Sequence, residues 1–273
     1  MKALNYYGAK GIMLKHILPY LNIRHHIYIE PFGGSAIVLL NKKRSQFEIY
    51  NDIYSEVVNF FRVIRNCFDR KKLQEFIENT PYSREEFAKF QEDLKKTKCK
   101  IERAAMFYFL HMSSFSGIGA NFSVSKKRHP KLVQITSKHL DKITKRLIGV
   151  AIENLDWREI FKRYDSVQSL FYLDPPYVNS TLRTSIKYKC KLMDKDQIDL
   201  VNAILKLKGK VILSGYDNKI YEVLLRNGFK KKEYAVDIPS QKFQDSKPER
   251  AIECLWLSKH FNHFETTKNF FFK

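Results

Sequence analysis

Three short apolar runs, each rich in β-branched and aromatic residues, end on chemistry that a strand interior does not accept. IYIEPF at 27–32 runs into Gly33-Gly34, FEIYND at 47–52 ends at Asp52, and SLFYLD at 169–174 ends at Asp174 followed by two prolines. Runs of this length and content predict buried strands. Between the first two lies AIVLLNKK, which reads as a helix. After the second comes an apolar-periodic helix built on Val57, Phe60, Phe61 and Ile64. Strand, helix, strand and helix in this order predict a parallel sheet with right-handed crossovers.

The same alternation resumes late in the chain, with strands at VAIENL (150–155), SLFYLD and KVILSG (210–215) and helices over 157–163, 195–207 and 219–227. EYAVDI (233–238) and AIECLWL (251–257) read as antiparallel edge strands. From 69 to 140 the strand signals nearly vanish. Helical stretches at 71–79, 83–95 and 101–112 give way to SSFSGIGANFSVSKKRHP, a loop with little periodicity. The expectation is one open, doubly wound α/β sheet, mostly parallel with an antiparallel edge. It would be formed by residues 1–66 and 145–273 and interrupted by a helical insertion at 67–144.

Charge narrows the partner. Lys and Arg number 49 against 29 Asp and Glu, a net +20, while 44% hydrophobic and 14% aromatic content supplies a core, so disorder does not explain the excess. Such a balance points to a polyanion, with nucleic acid first and an anionic membrane surface second. Residues 61–150 hold 20 basic and 9 acidic side chains, more than half of the excess. RKK at 70–72 and KKTKCK at 95–100 suit solvated helix faces as well as DNA; KKRH at 126–129, after a Gly/Ser-rich loop, suits phosphate contact better.

Other classes fit less well. The densest apolar run, AAMFYFL at 104–110, is too short to span a bilayer, and no basic amphipathic anchor with a clear apolar face is evident. MKALNYYGAKG has no apolar core of a signal peptide. Cys67, Cys99, Cys190 and Cys254 are scattered without a CxxC pair, as expected for free thiols in a reducing cytoplasm. His260 and His263 lack a second ligand pair, so no metal is expected.

In open α/β sheets ligands bind beyond the carboxyl ends of the strands, where the motifs lie. Glu30-Pro31-Phe32-Gly33-Gly34-Ser35-Ala36 makes a glycine turn that lets the backbone approach a ligand, or simply a tight strand–helix turn. Neither a GxGxxG nor a GxxxxGK[ST] pattern is present. Asp52, 18 residues past Gly34, stands where Rossmann-like sheets grip a ribose diol, a position that also suits a helix N-cap. A nucleoside cofactor without a pyrophosphate fits both features. Asp174-Pro175-Pro176-Tyr177 is the most specific: the prolines make a rigid loop, and a carboxylate and a nearby carbonyl can face one amino group as twin acceptors. Tyr177 offers a base a face to stack upon.

These motifs, in this order, resemble the class D12 (Dam-type) DNA adenine-N6 methyltransferases, which use S-adenosylmethionine. Tyr6-Tyr7-Gly8-Ala9-Lys10 resembles the family's N-terminal cofactor motif, and Glu30 to Ala36 its FxGxG turn. Asp52 stands at its ribose-binding acid, and Asp174 to Tyr177 is its DPPY motif unaltered. VILSGYDN within 210–218 and ERAIECLWL at 249–257 resemble its later strand motifs. The resemblance implies a Rossmann-like class I methyltransferase acting on a flipped-out adenine of double-stranded DNA. Asp174, Pro175, Pro176 and Tyr177 would be catalytic. Tyr6, Lys10, Glu30, Phe32, Gly34, Asp52, Asp156 and Asp174 would bind the cofactor: Lys10 at the methionine carboxylate, Asp52 at the ribose, and Asp156 either at the adenine edge or as a helix N-cap. The helical insertion becomes a target-recognition domain, with Lys126, Lys127 and Arg128 on phosphates and Ser116 or Asn121 at base edges.

Two departures stand out: Ala36 replaces the last glycine of FxGxG, and Ala120-Asn121 stands where readers of GATC carry an arginine, which implies a different target sequence. The resemblance further implies a monomer in a bacterial or phage-infected cytoplasm, associated with the nucleoid. A cognate restriction endonuclease is a compatible partner. Alternatives are an N4-cytosine DNA or adenine RNA methyltransferase, or a catalytically silent nucleic-acid-binding protein.

Overall fold

The computed structural model describes residues 1–6, 8–114, 117–124, 137–176, 192–237 and 250–262. Seven strands lie among them: β1 (Ile27–Glu30), β2 (Phe47–Asn51), β3 (Val150–Glu153), β4 (Ser169–Leu173), β5 (Lys210–Gly215), β6 (Lys230–Asp237) and β7 (Arg250–Leu257). The chain divides into two compact units, one of residues 1–10, 34–40 and 54–154, the other of 11–33, 41–53 and 155–273. The first contains the whole of 67–144, together with β3.

In the second unit six strands run in the order β2-β1-β4-β5-β7-β6. β2, β1, β4 and β5 are parallel, and β7 pairs antiparallel with both β5 and β6. The expected mostly parallel sheet with an antiparallel edge is therefore present. β1 lies between β2 and β4, so the strand order reverses at its carboxyl end, the switch point where such sheets bind ligands. Register brings the strand ends level: Glu30 is opposite Tyr50, Ile29 opposite Phe171, and Leu173 opposite Leu213.

Burial explains why the central strands lack alternation. Every residue of β4 is buried. On one face Ile29, Phe171, Leu173, Val211 and Leu213 pack with Trp157, Ile160 and Phe161 of α8 (Trp157–Tyr164) and Leu200, Val201 and Ile204 of α9 (Asp194–Ile204). Residues of the alternate face (Tyr28, Leu170, Tyr172, Ile212) are equally buried. Parallel strands are covered on both faces, and their sequences read as continuous apolar runs.

The first unit is largely helical: α3 (Ser55–Arg65), α4 (Cys67–Glu78), α5 (Arg84–Lys96), α6 (Lys100–Met112) and α7 (Ser137–Leu147). α6 is buried without a break from Ala104 to His111 and packs against α3, α4 and α5. A helix apolar all round becomes the centre of its bundle, and AAMFYFL is that segment. Phe60 stacks on Tyr108 with ring centroids 5.6 Å apart, and Phe90 meets Phe109 edge-on at 5.1 Å. α5 is N-capped by Ser83, whose side chain accepts the Glu86 amide at 3.0 Å, and ends on Lys95 and Lys96, which suit the dipole. α7 was not foreseen. Its stripe of Leu140, Ile143 and Leu147 is narrow and crowded by lysines, and it is tied down by Arg70–Asp141 at 3.1 Å and by Thr144 donating to the Ile64 carbonyl at 3.1 Å.

No helix among the described residues is long and apolar enough to cross a membrane. Cys67, Cys99 and Cys254 are free thiols, and burial pushes the Cys254 thiol up to about 11. Among the described residues no group of three or more His, Cys, Asp or Glu could hold a metal.

Candidate active site at the strand ends

Glu30 closes β1 and is buried, with the Tyr28 hydroxyl donating to its Oε1 at 2.5 Å. Burial first, and the Glu30 charge second, raise the Tyr28 pKa well above 10, so the hydroxyl stays a donor. Lys42 Nζ sits 4.1 Å above the Tyr28 ring and pairs with buried Glu48 at 2.6 Å. A desolvated polar network of this kind holds the Glu30 side chain in one orientation before any ligand arrives.

Asn51, fully buried at the end of β2, joins three chain segments. Its Nδ2 donates to the Pro31 and Leu155 carbonyls at 2.8 and 3.0 Å, its Oδ1 accepts the Leu155 amide at 2.8 Å, and its own carbonyl accepts the Gly33 amide at 2.8 Å. Asp52 follows, half-buried. The N-cap position of α3 is Tyr54. Phe32 is half-buried and packs against the sheet core.

Asp174 follows β4 directly and is half-buried, with Pro175 buried behind it. The Pro176 carbonyl accepts from Gln197 Nε2 at 2.6 Å, and Gln197 Oε1 accepts from the Tyr221 hydroxyl at 2.8 Å. Tyr177 lies outside the described residues. Asp156 is exposed and is the N-cap of α8, accepting the Arg158 amide at 2.9 Å. The Arg158 guanidinium also reaches Asp196 and Asp199 of α9 and covers the Trp157 ring at 4.3 Å. A helix-capping role thus accounts for Asp156 locally.

In the first unit Tyr6 is flanked by a glycine and a histidine. A Cβ on Gly34, whose φ is +47°, would come within 3.1 Å of the Tyr6 ring. On another side the His111 ring lies 5.4 Å away and nearly parallel, at 13°. Lys10 is buried at 3% exposure. Ala36, fully buried, has φ +55°, the one positive value at a non-glycine among the described residues. Its carbonyl accepts the Leu40 amide at 2.8 Å at the start of α2 (Ile37–Asn41).

The turn after α6 is braced from three sides. Ser114 and Phe122 form an antiparallel bridge, Gln91 Nε2 donates to the Gly119 and Ala120 carbonyls at 3.0 Å each, and the Tyr82 hydroxyl donates to the Ser123 carbonyl at 2.7 Å. His111 Nδ1 donates to the Gly117 carbonyl at 2.7 Å, since a carbonyl can only accept. Asn121 is exposed on this turn. Ser116, Lys126, Lys127 and Arg128 lie outside the described residues.

Sequence reasoning passed over Asn51, Gln197, Tyr221 and His111. Gln197 carried a signal: it shares an apolar stripe with Leu200, Val201 and Ile204, where a polar residue needs a bonding partner. His111 continued an apolar run and gave no such sign.

The family model of the D12 class N6 adenine-specific DNA methyltransferases matches residues 6–238. No protein of curated function matches the chain. Among solved structures, PH1948 from Pyrococcus horikoshii, provisionally described as an RNA methyltransferase, aligns at 11% identity over 93% of this chain and 86% of its own, with a TM-score of 0.38.

Proposed function

The chain belongs to the D12 class of N6 adenine-specific DNA methyltransferases, and from that premise we propose that it transfers a methyl group from S-adenosylmethionine to the 6-amino nitrogen of an adenine flipped out of double-stranded DNA. The observation that carries the reading is the Asp174-Pro175-Pro176 segment leaving β4 beside the point where the strand order reverses. The residues at the strand ends suit this cofactor. A sulfonium cation with a diol and a carboxylate but no phosphate calls for acids and one base. Glu30, Asp52 and Asp174 stand at the carboxyl ends of β1, β2 and β4, and Lys10, in the N-terminal segment, would be the base. Lys10 would hold the methionine carboxylate with Tyr6 packing beside it, Asp52 the ribose hydroxyls, and Glu30, Phe32 and Gly34 the wall of the site.

S-adenosylmethionine, when bound, supplies an electrophilic methyl on a positively charged sulfur. The rest is done by the chain. Flipping the base costs a few kcal/mol, and stacking on Tyr177 returns about 1–3 kcal/mol. The amine's lone pair is delocalised into the adenine ring. Asp174 and the Pro175 carbonyl, accepting its two hydrogens, localise that lone pair and aim it. Rate then comes from positioning and fixed dipoles, with a near-attack distance of about 3–3.5 Å. The nitrogen becomes acidic as the new bond forms and sheds its proton afterwards, so a separate strong base is not required. Residues 67–144 would grip the duplex, Lys126, Lys127 and Arg128 through phosphates and Ser116 or Asn121 at base edges.

Incubation with methyl-labelled S-adenosylmethionine and duplex DNA, followed by digestion to nucleosides, tests the reading. Label in N6-methyladenine is the expected result. Label in 4-methylcytosine, or transfer to RNA in preference to duplex DNA, would replace it. Methylome sequencing of cells expressing the protein then gives the target sequence.

A further inference from the structure

We propose that Gln197, with Tyr221 behind it, is a positioning residue for methyl transfer that sets the peptide leading from Pro176 into Tyr177. The inference rests on the roles given above to Asp174, Pro175 and Tyr177. Ring closure fixes φ at both prolines, so the ψ rotations are the main freedom left between β4 and Tyr177. Rotation about ψ of Pro176 turns its carbonyl and the following planar peptide as one body. Gln197 Nε2 holds that carbonyl at 2.6 Å, and with it the rotation. The glutamine reaches it from α9, a helix seated in the sheet core by Leu200, Val201 and Ile204, and is itself fully buried.

The neighbours determine which way the amide points. A carbonyl only accepts, so the nitrogen must face Pro176 and the oxygen must face Tyr221, whose hydroxyl donates at 2.8 Å. Tyr221 packs edge-on against Trp256 at 5.0 Å. Burial, and then the negative charge of Asp174, raise its pKa, so it keeps its proton and remains a donor. The hydrogen bonds therefore run in one direction, from Tyr221 through Gln197 to the loop. A glutamine on an apolar stripe is costly unless both ends are bonded, and here one end is bonded to the segment after β4 and the other to Tyr221.

Gln197→Met keeps the length and removes both hydrogen bonds, while Tyr221→Phe removes only the one behind. Methyl transfer at saturating S-adenosylmethionine is measured on full-length proteins and normalised to the fraction that binds S-adenosylhomocysteine by calorimetry, which discounts misfolded material. Gln197→Met should lower kcat about 10- to 100-fold with S-adenosylhomocysteine affinity unchanged. Tyr221→Phe should lower it less, and the double variant should be no slower than Gln197→Met alone. An unchanged normalised kcat in Gln197→Met, or independent multiplication of the two effects, overturns the inference while leaving the proposed reaction intact. A wild-type protein that methylates no adenine overturns both.

Discussion

The ring of His111 lies 5.4 Å from that of Tyr6 and within 13° of parallel, while its Nδ1 holds the Gly117 carbonyl at 2.7 Å. One buried side chain thus touches both Tyr6 and the turn that carries Asn121. Gly117 completes the contact from the other side. At φ +70° a Cβ there would come 2.6 Å from the Asn5 carbonyl carbon and 2.8 Å from the Tyr6 nitrogen.

Gly117→Ala should therefore destabilise the protein by about 2 kcal/mol or more, the left-handed cost of an L-residue plus the displacement of Asn5 and Tyr6. Gly149→Ala is the control: φ is +81° there, with nothing within 4 Å of an added Cβ, so the backbone cost stands alone at about 1–2 kcal/mol. Urea midpoints compare the two, and calorimetry with S-adenosylhomocysteine should show weakened binding for Gly117→Ala alone. Equal effects of the two substitutions would mean that the turn does not brace Tyr6.

Ala36 calls for a different balance. Its left-handed backbone costs about 1–2 kcal/mol relative to glycine. Against that stand a fully buried methyl, worth about 0.8 kcal/mol, and the extra unfolded-state entropy a glycine brings, about 0.4–1 kcal/mol. These nearly cancel, which explains how the turn accommodates an alanine at this backbone angle. Ala36→Gly should change stability by less than about 1 kcal/mol, whereas Ala36→Val, β-branched in a left-handed and buried position, should destabilise it severely. Thermal unfolding of both variants is the measurement, and a large gain from glycine would show that the strain is not offset.

His25 makes the stability acid-sensitive. Its Nδ1 donates to the Ile23 carbonyl at 2.6 Å, and its Nε2 lies 2.6 Å from Ser45 Oγ, a hydroxyl that also accepts from Lys42 Nζ at 2.8 Å. Burial first, and Lys42 among the charges, lower the His25 pKa below the ordinary 6.5, against a smaller upward effect of the Ile23 carbonyl. The unfolded chain then binds the proton more readily, so stability is full above pH 6.5 and falls as pH drops below it. His16 and His260, both lowered by burial, act in the same direction. Urea midpoints at pH 7.5 and 5.5 should converge in His25→Asn relative to wild type. An identical acid loss in that variant would assign the effect elsewhere.

What could be read from the sequence follows from where free energy is local. β1, β2, β4 and β5 announce themselves because buried parallel strands need continuous apolar residues, and Asp52 and Asp174 because acids at their ends are chemically out of place. α7 escaped because its three apolar contacts are set among lysines, and a stripe that narrow resembles a solvated segment. His111, Gln197 and Asn51 escaped for another reason. Their partners, Gly117, Pro176, Tyr221 and Leu155, are set by tertiary packing, between 6 and 104 residues away in sequence. Even where a buried polar residue shows in the sequence, as Gln197 does, the group that satisfies it does not.

Affinity for DNA and chemistry on it should separate at Asp174. More than half of the basic excess lies in 61–150, where 20 basic residues face 9 acidic ones, so binding should be governed by phosphate neutralisation. The logarithm of the association constant should fall linearly with the logarithm of salt, with a slope of about −0.9 per phosphate contacted. Asp174→Asn removes one negative charge at a strand end and turns an acceptor pair into a mixed donor and acceptor, so it no longer takes a hydrogen from the amine reliably. Methyl transfer should fall at least about 100-fold, while the salt slope and the affinity for duplex DNA, measured by fluorescence anisotropy, stay close to wild type. A variant that lost DNA binding in parallel with activity would make Asp174 part of the duplex interface and not of the chemistry.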